Sequence, residues 1–308
     1  MGIADDMMKQ ILAEFEKMGK QPGSLDEINK IAALVNKRHN ESPLGDFEGL
    51  SPSQMHLITS YPFGDNCLLS LNPSISAELT EKTLLVRMAV KLLQISEDSK
   101  GIKLTTSGNL PRALVKNFYE EFHIQSLTQT SYLTKTMNEM DYLPLHLCNM
   151  LLRISKYTRV EKGKLILTRS GRAGILDPGK LFADLFSTFC TRFNKAYFSP
   201  YLPEEIGNMG FLFILFLLYK FGKETREEDF YGDKYFTAFP MLLNAVQTYP
   251  GIDKLHMAKD GLATRVFHHG LSHFGLISID QFKLDNFSSI YKIRTTELFE
   301  HVIVLKNN

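Results

Sequence analysis

Tryptophan is absent from this chain of 308 residues, and cysteine is scarce. The three cysteines, Cys67, Cys148 and Cys190, are odd in number and far apart. They form no Cys-x-x-Cys pair, which argues against a disulfide framework or a zinc ribbon and leads to the expectation of a reducing cytoplasm. Charge of one sign is also lacking: 35 Lys and Arg face 34 Asp and Glu, for a formal net charge of +1. The molecule as a whole therefore has no strong pull on nucleic acid or anionic membranes. No apolar run approaches the ~20 residues that a membrane-spanning helix needs. The longest candidate, FLFILFLLY at residues 211–219, is flanked by Glu204, Glu205, Lys220, Lys223 and Glu224 and is expected to be a buried core helix. The opening MGIADDMMKQ holds two acids and no apolar core, so no secretory leader is expected. Phosphate-cradling GxxxxGK[ST] and GxGxxG loops, a GxSxG elbow and an HExxH helix are all missing. No catalytic residue, cofactor or metal site is therefore assigned.

What is present is a well-cored composition, 44% apolar and 22% charged, and a block that recurs. Residues 92–108 read LLQISEDSKGIKLTTSG, and residues 151–171 read LLRISKYTRVEKGKLILTRSG. A fainter copy spans residues 274–296, with FGLISI before a polar loop and YKIRTT after it. Leu92, Leu93, Ile95 and Ser96 superpose on Leu151, Leu152, Ile154 and Ser155. A longer loop in the second copy then restores Leu104-Thr105 to Leu167-Thr168 and Ser107-Gly108 to Ser170-Gly171. Matches on both sides of one loop insertion are what duplication of a structural unit produces.

Around the blocks, apolar spacing predicts a mainly helical chain. Ile3, Met7, Ile11, Phe15 and Met18 lie on one helical stripe, and Leu25, Ile28, Ile31, Ala32 and Val35 lie on another. Gln21-Pro22-Gly23 separates them, and Ser24 with Glu27 forms a capping box. Ser51 and Pro52 open a further helix, and residues 67–71 suit a short strand. Helices are expected at residues 76–94, 109–122 with Asn109 as its cap, 142–155 capped by Asp141, 178–197 and 253–273.

A helix, a strand, a polar loop, a second strand ending in Leu-Thr-x-x-Gly, then a helix resembles the second half of a winged helix. The resemblance implies tandem winged-helix-like repeats in a compact multi-helix body, mainly α with short β-hairpins. The expected organisation is a helical hairpin at 1–40, units at 49–125 and 126–200, and a helical segment with a third unit at 201–308. The chain also resembles an uncharacterised family of bacterial cytoplasmic proteins through GLSPSQMHLI with Tyr61-Pro62-Phe63, LTTSGNLPRALV, FNKAYFSPY, GNMGFLFILFLLYKFG and YFTAFPMLL. That family brings no activity or site residues with it.

The strongest binding signal is charge over the second block. Arg153, Lys156, Arg159, Lys162, Lys164, Arg169 and Arg172 are opposed within their span only by Glu161. The first block, with Glu97, Asp98, Lys100, Lys103 and Arg112, is nearly balanced. A wing and its adjoining helix are where a winged helix meets phosphates, so the seven cations of the second block are the candidate nucleic-acid contacts. A solvated loop facing an acidic partner is the competing explanation. Arg112, in the Asn109-Leu110-Pro111-Arg112 turn, is a further candidate because helix geometry does not require it. His268, His269 and His273 have near-helical spacing but no neighbouring acid in the HExxH manner, and His56 and His146 are expected to be structural. The aromatic load falls at helical spacing and reads as core rather than as a stacking platform. The expected function is a non-enzymatic macromolecule-binding protein, with duplex nucleic acid ahead of a protein partner. A protein-interaction module and an enzyme of unrecognised type are the alternatives.

Overall fold

A computed structural model describes residues 3–72, 74–81, 83–122, 137–247, 250–251, 253–283 and 289–306. The N-terminal hairpin is present as helices α1 (Ile3–Lys17) and α2 (Leu25–Glu41). Ser24 Oγ accepts from the Glu27 amide, and the Glu27 carboxylate accepts from the Gly23 amide. Ile11 and Phe15 meet Ile31 and Val35 in a small cluster separate from the main core. Met18 and Leu25 lie outside it and stay exposed.

The main body starts at α3 (Pro52–Ser60), where Ser51 and Gln54 form a reciprocal capping box. Strand β1 (Leu69–Leu71) comes next, as apolar residues 67–71 suggest. The single helix expected at 76–94 is two, α4 (Ala77–Glu81) and α5 (Leu84–Asp98). The Thr83 hydroxyl accepts from the Val86 amide and restarts the helix there. Beyond them lie β2 (Ile102–Lys103), α6 (Arg112–Phe122) and α7 (Leu143–Ile154). The hairpin β3 (Thr158–Glu161) and β4 (Lys164–Leu167) leads to α8 (Arg169–Leu176) and α9 (Pro178–Thr191). Two helix starts differ from expectation. Helix α6 begins at Arg112, not Asn109, and α7 begins after Tyr142. Asp141 instead closes a 3₁₀ turn, accepting from the Asn138 amide.

The second half holds α10 (Phe211–Phe221), β5 (Arg226–Glu227), α11 (Glu228–Ala238) and α12 (Lys254–Ala263). Helix α12 runs on as a π-helix through Thr264–Leu271 before β6 (Ile277–Lys283), β7 (Ser289–Thr295), α13 (Glu297–Val302) and β8 (Ile303–Leu305). Helix α10 is apolar all round and buried from Phe211 to Leu218, as its sequence demands. Among the described residues no helix is long and apolar enough to cross a membrane.

The sheets explain the repeat, and differently from expectation. Strands β2, β4 and β3 form one antiparallel sheet in that order, with Ile102 opposite Leu165 and Lys103 opposite Lys164. The first two blocks therefore build one sheet between them, and block one supplies a single strand where two were expected. The expected boundary at 125/126 lies outside the described residues, and this sheet crosses it. Strands β5, β7 and β6 form a second sheet with the same order, Arg226 opposite Ile293. The element sequence α-β-α-α-β-β thus occurs twice, as α5-β2-α6-α7-β3-β4 and as α10-β5-α11-α12-β6-β7. Strand β1 pairs with β8 and joins the start of this body to its end.

All three blocks share a helix ending. In the first, the amides of Lys100 and Gly101 donate to the carbonyls of Glu97 and Ser96. In the second, Lys156 and Tyr157 donate to Arg153 and Leu152, and in the third Gly275 and Leu276 donate to Ser272 and Leu271. Each is a Schellman motif, which needs a left-handed residue directly after the helix cap. Lys100 (φ 51°), Lys156 (φ 63°) and Gly275 (φ 69°) fill that place. The matched glycines of the first two blocks, in contrast, serve different ends. Gly108 makes an open left-handed turn at φ 80°, whereas a Cβ on Gly171 would lie 2.4 Å from the Tyr157 carbonyl, so α8 can press on the hairpin only with glycine there.

The deepest charge is Arg265, 0% exposed in the π-helix. Its Nη1 donates to the carbonyls of Pro203 (2.7 Å) and Ile206 (2.8 Å), and its Nη2 to those of Leu202 (3.0 Å) and Ser199. One side chain thereby satisfies the backbone of a connector that no sheet or helix ladder serves.

Both features carry a measurable stability. Lys100→Gly removes the left-handed penalty of a side chain and should raise unfolding free energy by about 1 kcal/mol, read from the urea midpoint, while Lys100→Ala should not. Arg265→Met leaves the Ser199, Leu202 and Ile206 carbonyls without their side-chain donor and should cost about 3 kcal/mol or more in the same assay.

Candidate functional site

The basic hairpin is built by local chemistry. Lys162 (φ 49°) and Gly163 (φ 72°) are both left-handed and form the two-residue turn that joins β3 to β4. Alternation along β4 buries Leu165 and Leu167 and turns Lys164 outward. Thr168 Oγ1 then caps α8 through the Gly171 amide at 3.0 Å, leaving Arg169 exposed in the first turn.

All seven predicted cations are exposed, but not all are free. Arg159 binds the Glu161 carboxylate through Nε (3.1 Å) and Nη2 (2.7 Å). Arg172 Nε binds Glu97 at 3.0 Å, tying α8 back to α5. Arg153, Lys156, Lys162, Lys164 and Arg169 make no ion pair or side-chain hydrogen bond among the described residues. Lys103 joins them, because the sheet register sets it directly opposite Lys164. Two exposed lysines in that relation repel, and the one acid of the sheet, Glu161 opposite Lys164 on its other side, is shared with Arg159. The balanced charge of block one conceals Lys103 in the sequence, since the β2–β4 pairing is long-range. Arg112 is engaged elsewhere, with Nε donating to Asn138 Oδ1 at 2.8 Å.

The third helix of the first unit is not available for reading bases. On α7, Leu145, His146, Leu147, Cys148, Asn149, Leu151 and Leu152 are all buried. On α12 and its π extension, Ala258, Gly261, Leu262, Ala263, Arg265, Val266 and Phe267 are buried too. Helix α12 buries one face and keeps His256 and Asp260 exposed, whereas in the first unit the helix that a helix-turn-helix reader would offer to a groove is core.

Its burial brings together a polar network that sequence reasoning does not find. Glu139, 1% exposed, accepts from His146 Nδ1 (2.8 Å), from Asn149 Nδ2 (2.8 Å) and from the Leu110 amide (2.5 Å). Burial alone would raise the Glu139 carboxyl pKa, but the bonds from His146, Asn149 and Leu110 prevail and hold it below the ordinary carboxylate value. His146 Nε2 meets Tyr197 Oη at 2.7 Å. Tyr197 is 44% exposed, so the network runs from a deep carboxylate to the surface. Its one visible signal in the sequence is His146 and Asn149, three apart on an otherwise apolar helix.

The C-terminal histidines diverge. His268 Nε2 bonds Glu228 at 2.8 Å, His269 lies against Phe198, and His273 Nε2 is buried without a partner. Among the described residues no three His, Cys, Asp or Glu side chains are grouped to hold a metal. Burial pushes the His269 imidazole down to about 4 and that of His273 to about 3, with neighbouring histidines adding to it. A base with a lowered folded pKa is protonated more readily unfolded, so it destabilises the fold as pH falls below about 6.5. Wild-type urea stability should therefore drop between about pH 6.5 and 4, and His273→Gln should flatten that drop.

Residues 81–180 match the family model of the Y4jL N-terminal domain. The match runs from the end of α4 into the first turn of α9 and contains the whole β2-β4-β3 sheet with α5 to α8. No curated protein and no solved structure matches the chain.

Proposed function

We propose that this protein binds duplex nucleic acid through its phosphate backbone, using the β3–β4 hairpin and the two helix ends beside it, and that it does so without base-specific reading. The observation that carries this is the set of exposed cations left without an internal partner: Arg153, Lys156, Lys162, Lys164 and Arg169, with Lys103 on the adjoining strand. A protein of near-neutral net charge gains little by concentrating repulsive lysines on one sheet unless an anion meets them. Phosphates do so, and each contact releases condensed counterions. The winged-helix reading is supported by the order α-β-α-α-β-β and by the sheet order β2-β4-β3, in which the hairpin is the wing. With α7 buried, wing contact supplies affinity and position but little sequence information.

A second reading, a protein-interaction module, is favoured by the same burial of α7, since a rigid platform needs no reading helix. It would place an acidic protein surface on the hairpin in place of phosphate.

Fluorescence anisotropy with a labelled duplex separates them. Binding should appear at low salt, weaken with a log–log slope of about 0.9 per phosphate contact, and vary little with sequence. Combined Arg153→Ala, Lys164→Ala and Arg169→Ala should remove most of it. Absence of salt-dependent binding, or full binding by that variant, contradicts the proposal.

A further inference from the structure

Glu139, His146 and Tyr197 take no part in the basic hairpin, and their chemistry does not depend on nucleic-acid binding. Their order is that of an orienting acid, a base and a hydroxyl nucleophile. A buried carboxylate that takes three hydrogen bonds acts as an acceptor, so His146 Nδ1 carries the proton and Nε2 turns its lone pair to the phenol. Tyr197 Oη also lies 3.3 Å from Met140 Sδ, a much weaker acceptor than the imidazole. Stability alone does not require this arrangement, because a phenol as exposed as Tyr197 can be satisfied by water.

The surroundings indicate the class of electrophile. Asn138, Glu139 and Met140 are consecutive, and Asn138 Oδ1 holds Arg112 by Nε alone. The two Nη groups of Arg112 carry no partner among the described residues, which ties an unused guanidinium fork to the turn that supports the phenol. Such a fork matches phosphoryl oxygens.

We propose that Tyr197 is a nucleophile that accepts a phosphoryl group, with His146 as its general base, Glu139 as a positioning residue and Arg112 as the cation for the phosphoryl oxygens. In the step, a bond forms from Tyr197 Oη to phosphorus while the bond from phosphorus to the leaving group breaks. The leaving group departs with that electron pair, and the phenolic proton moves to His146 Nε2. The imidazolium so formed is balanced by the Glu139 carboxylate. Partial burial first, and the Glu139 charge second, raise the Tyr197 phenol pKa, so proton transfer to His146 has to accompany the attack.

The test uses the full chain and an alkyl fluorophosphonate, from which fluoride leaves as the adduct forms, with adducts mapped by mass spectrometry. Tyr201 is the internal control, 88% exposed and without a side-chain hydrogen bond among the described residues. Tyr197 should be modified on the order of 10² faster than Tyr201, the gain expected of a positioned base. Its rate should rise less steeply with pH than that of Tyr201, because His146 Nε2 takes the phenolic proton. Tyr197→Phe should abolish the adduct, His146→Gln should bring the rate down to that of Tyr201, and Arg112→Ala should slow it several-fold. Equal rates at the two tyrosines, or parallel pH profiles, overturn the proposal. Those two readouts use wild-type protein and stand even if His146→Gln fails to fold. Modification by an activated acyl ester but not by the fluorophosphonate overturns the phosphoryl assignment.

Discussion

A guanidinium buried with four backbone carbonyls fixes the connector between the two halves of this protein. Arg265 carries its charge into a site with no exposed surface, which is costly unless its donors are used. Ser199, Leu202, Pro203 and Ile206 supply acceptors to both Nη groups, and only Nε is left without a partner. Beside them the Tyr235 hydroxyl donates to the Met209 carbonyl (2.7 Å) and accepts from the Gly207 amide (3.1 Å). Residues 199–209 form turns rather than a ladder, and these two side chains, with the Asn194–Asn208–Glu204 bonds, fix their path. The π-helical stretch that carries Arg265 is consistent with this, since such distortions of a helix cluster where a side chain has a special task.

The connector fixed in this way covers the third helix of both units. Its Tyr197 bonds His146 on α7, while Phe198 packs on His269 of the π-helix at 5.4 Å between ring centres. Lys195, 1% exposed, sits over the rings of Phe189 (4.9 Å) and Phe211 (4.3 Å), and burial lowers its ammonium pKa to about 8. The covering explains why α7 is apolar on the face that a groove reader would make polar. Both hairpins carry cations without an ion pair among the described residues, Lys162 and Lys164 on β3–β4 and Lys283, Lys292 and Arg294 on β6–β7, but the helix ends beside β3–β4 add Arg153, Lys156 and Arg169.

Much of this is legible in the sequence, and what is not has a common cause. Local signals hold: Ser51 with Pro52, Ser24 with Glu27, the apolar α10 and the strand near Leu69 all appear where side-chain chemistry puts them. Both Leu-Leu-x-Ile-Ser segments lie at a helix end that closes in a Schellman turn and hands on to a strand. The meaning of their recurrence is not local. Nothing in Ile102-Lys103 says that its partner is Leu165-Lys164, so sequence alone divides one sheet between two units. The same distance in sequence hides Lys103 from the basic surface and Tyr197 from Glu139. Asn109 and Asp141 are good cap residues by type, but the competing bonds from Leu110 to Glu139 and from Asn138 to Asp141 decide where those helices start.

Phosphates should meet the hairpin while the third helix stays closed. Amide hydrogen exchange on the full chain, with and without a saturating duplex at low salt, addresses this at the level of single segments. Slowed exchange confined to residues 156–171, with residues 143–152 equally protected in both states, is the predicted result. Duplex-dependent change along residues 143–152, or none at 156–171, would contradict it.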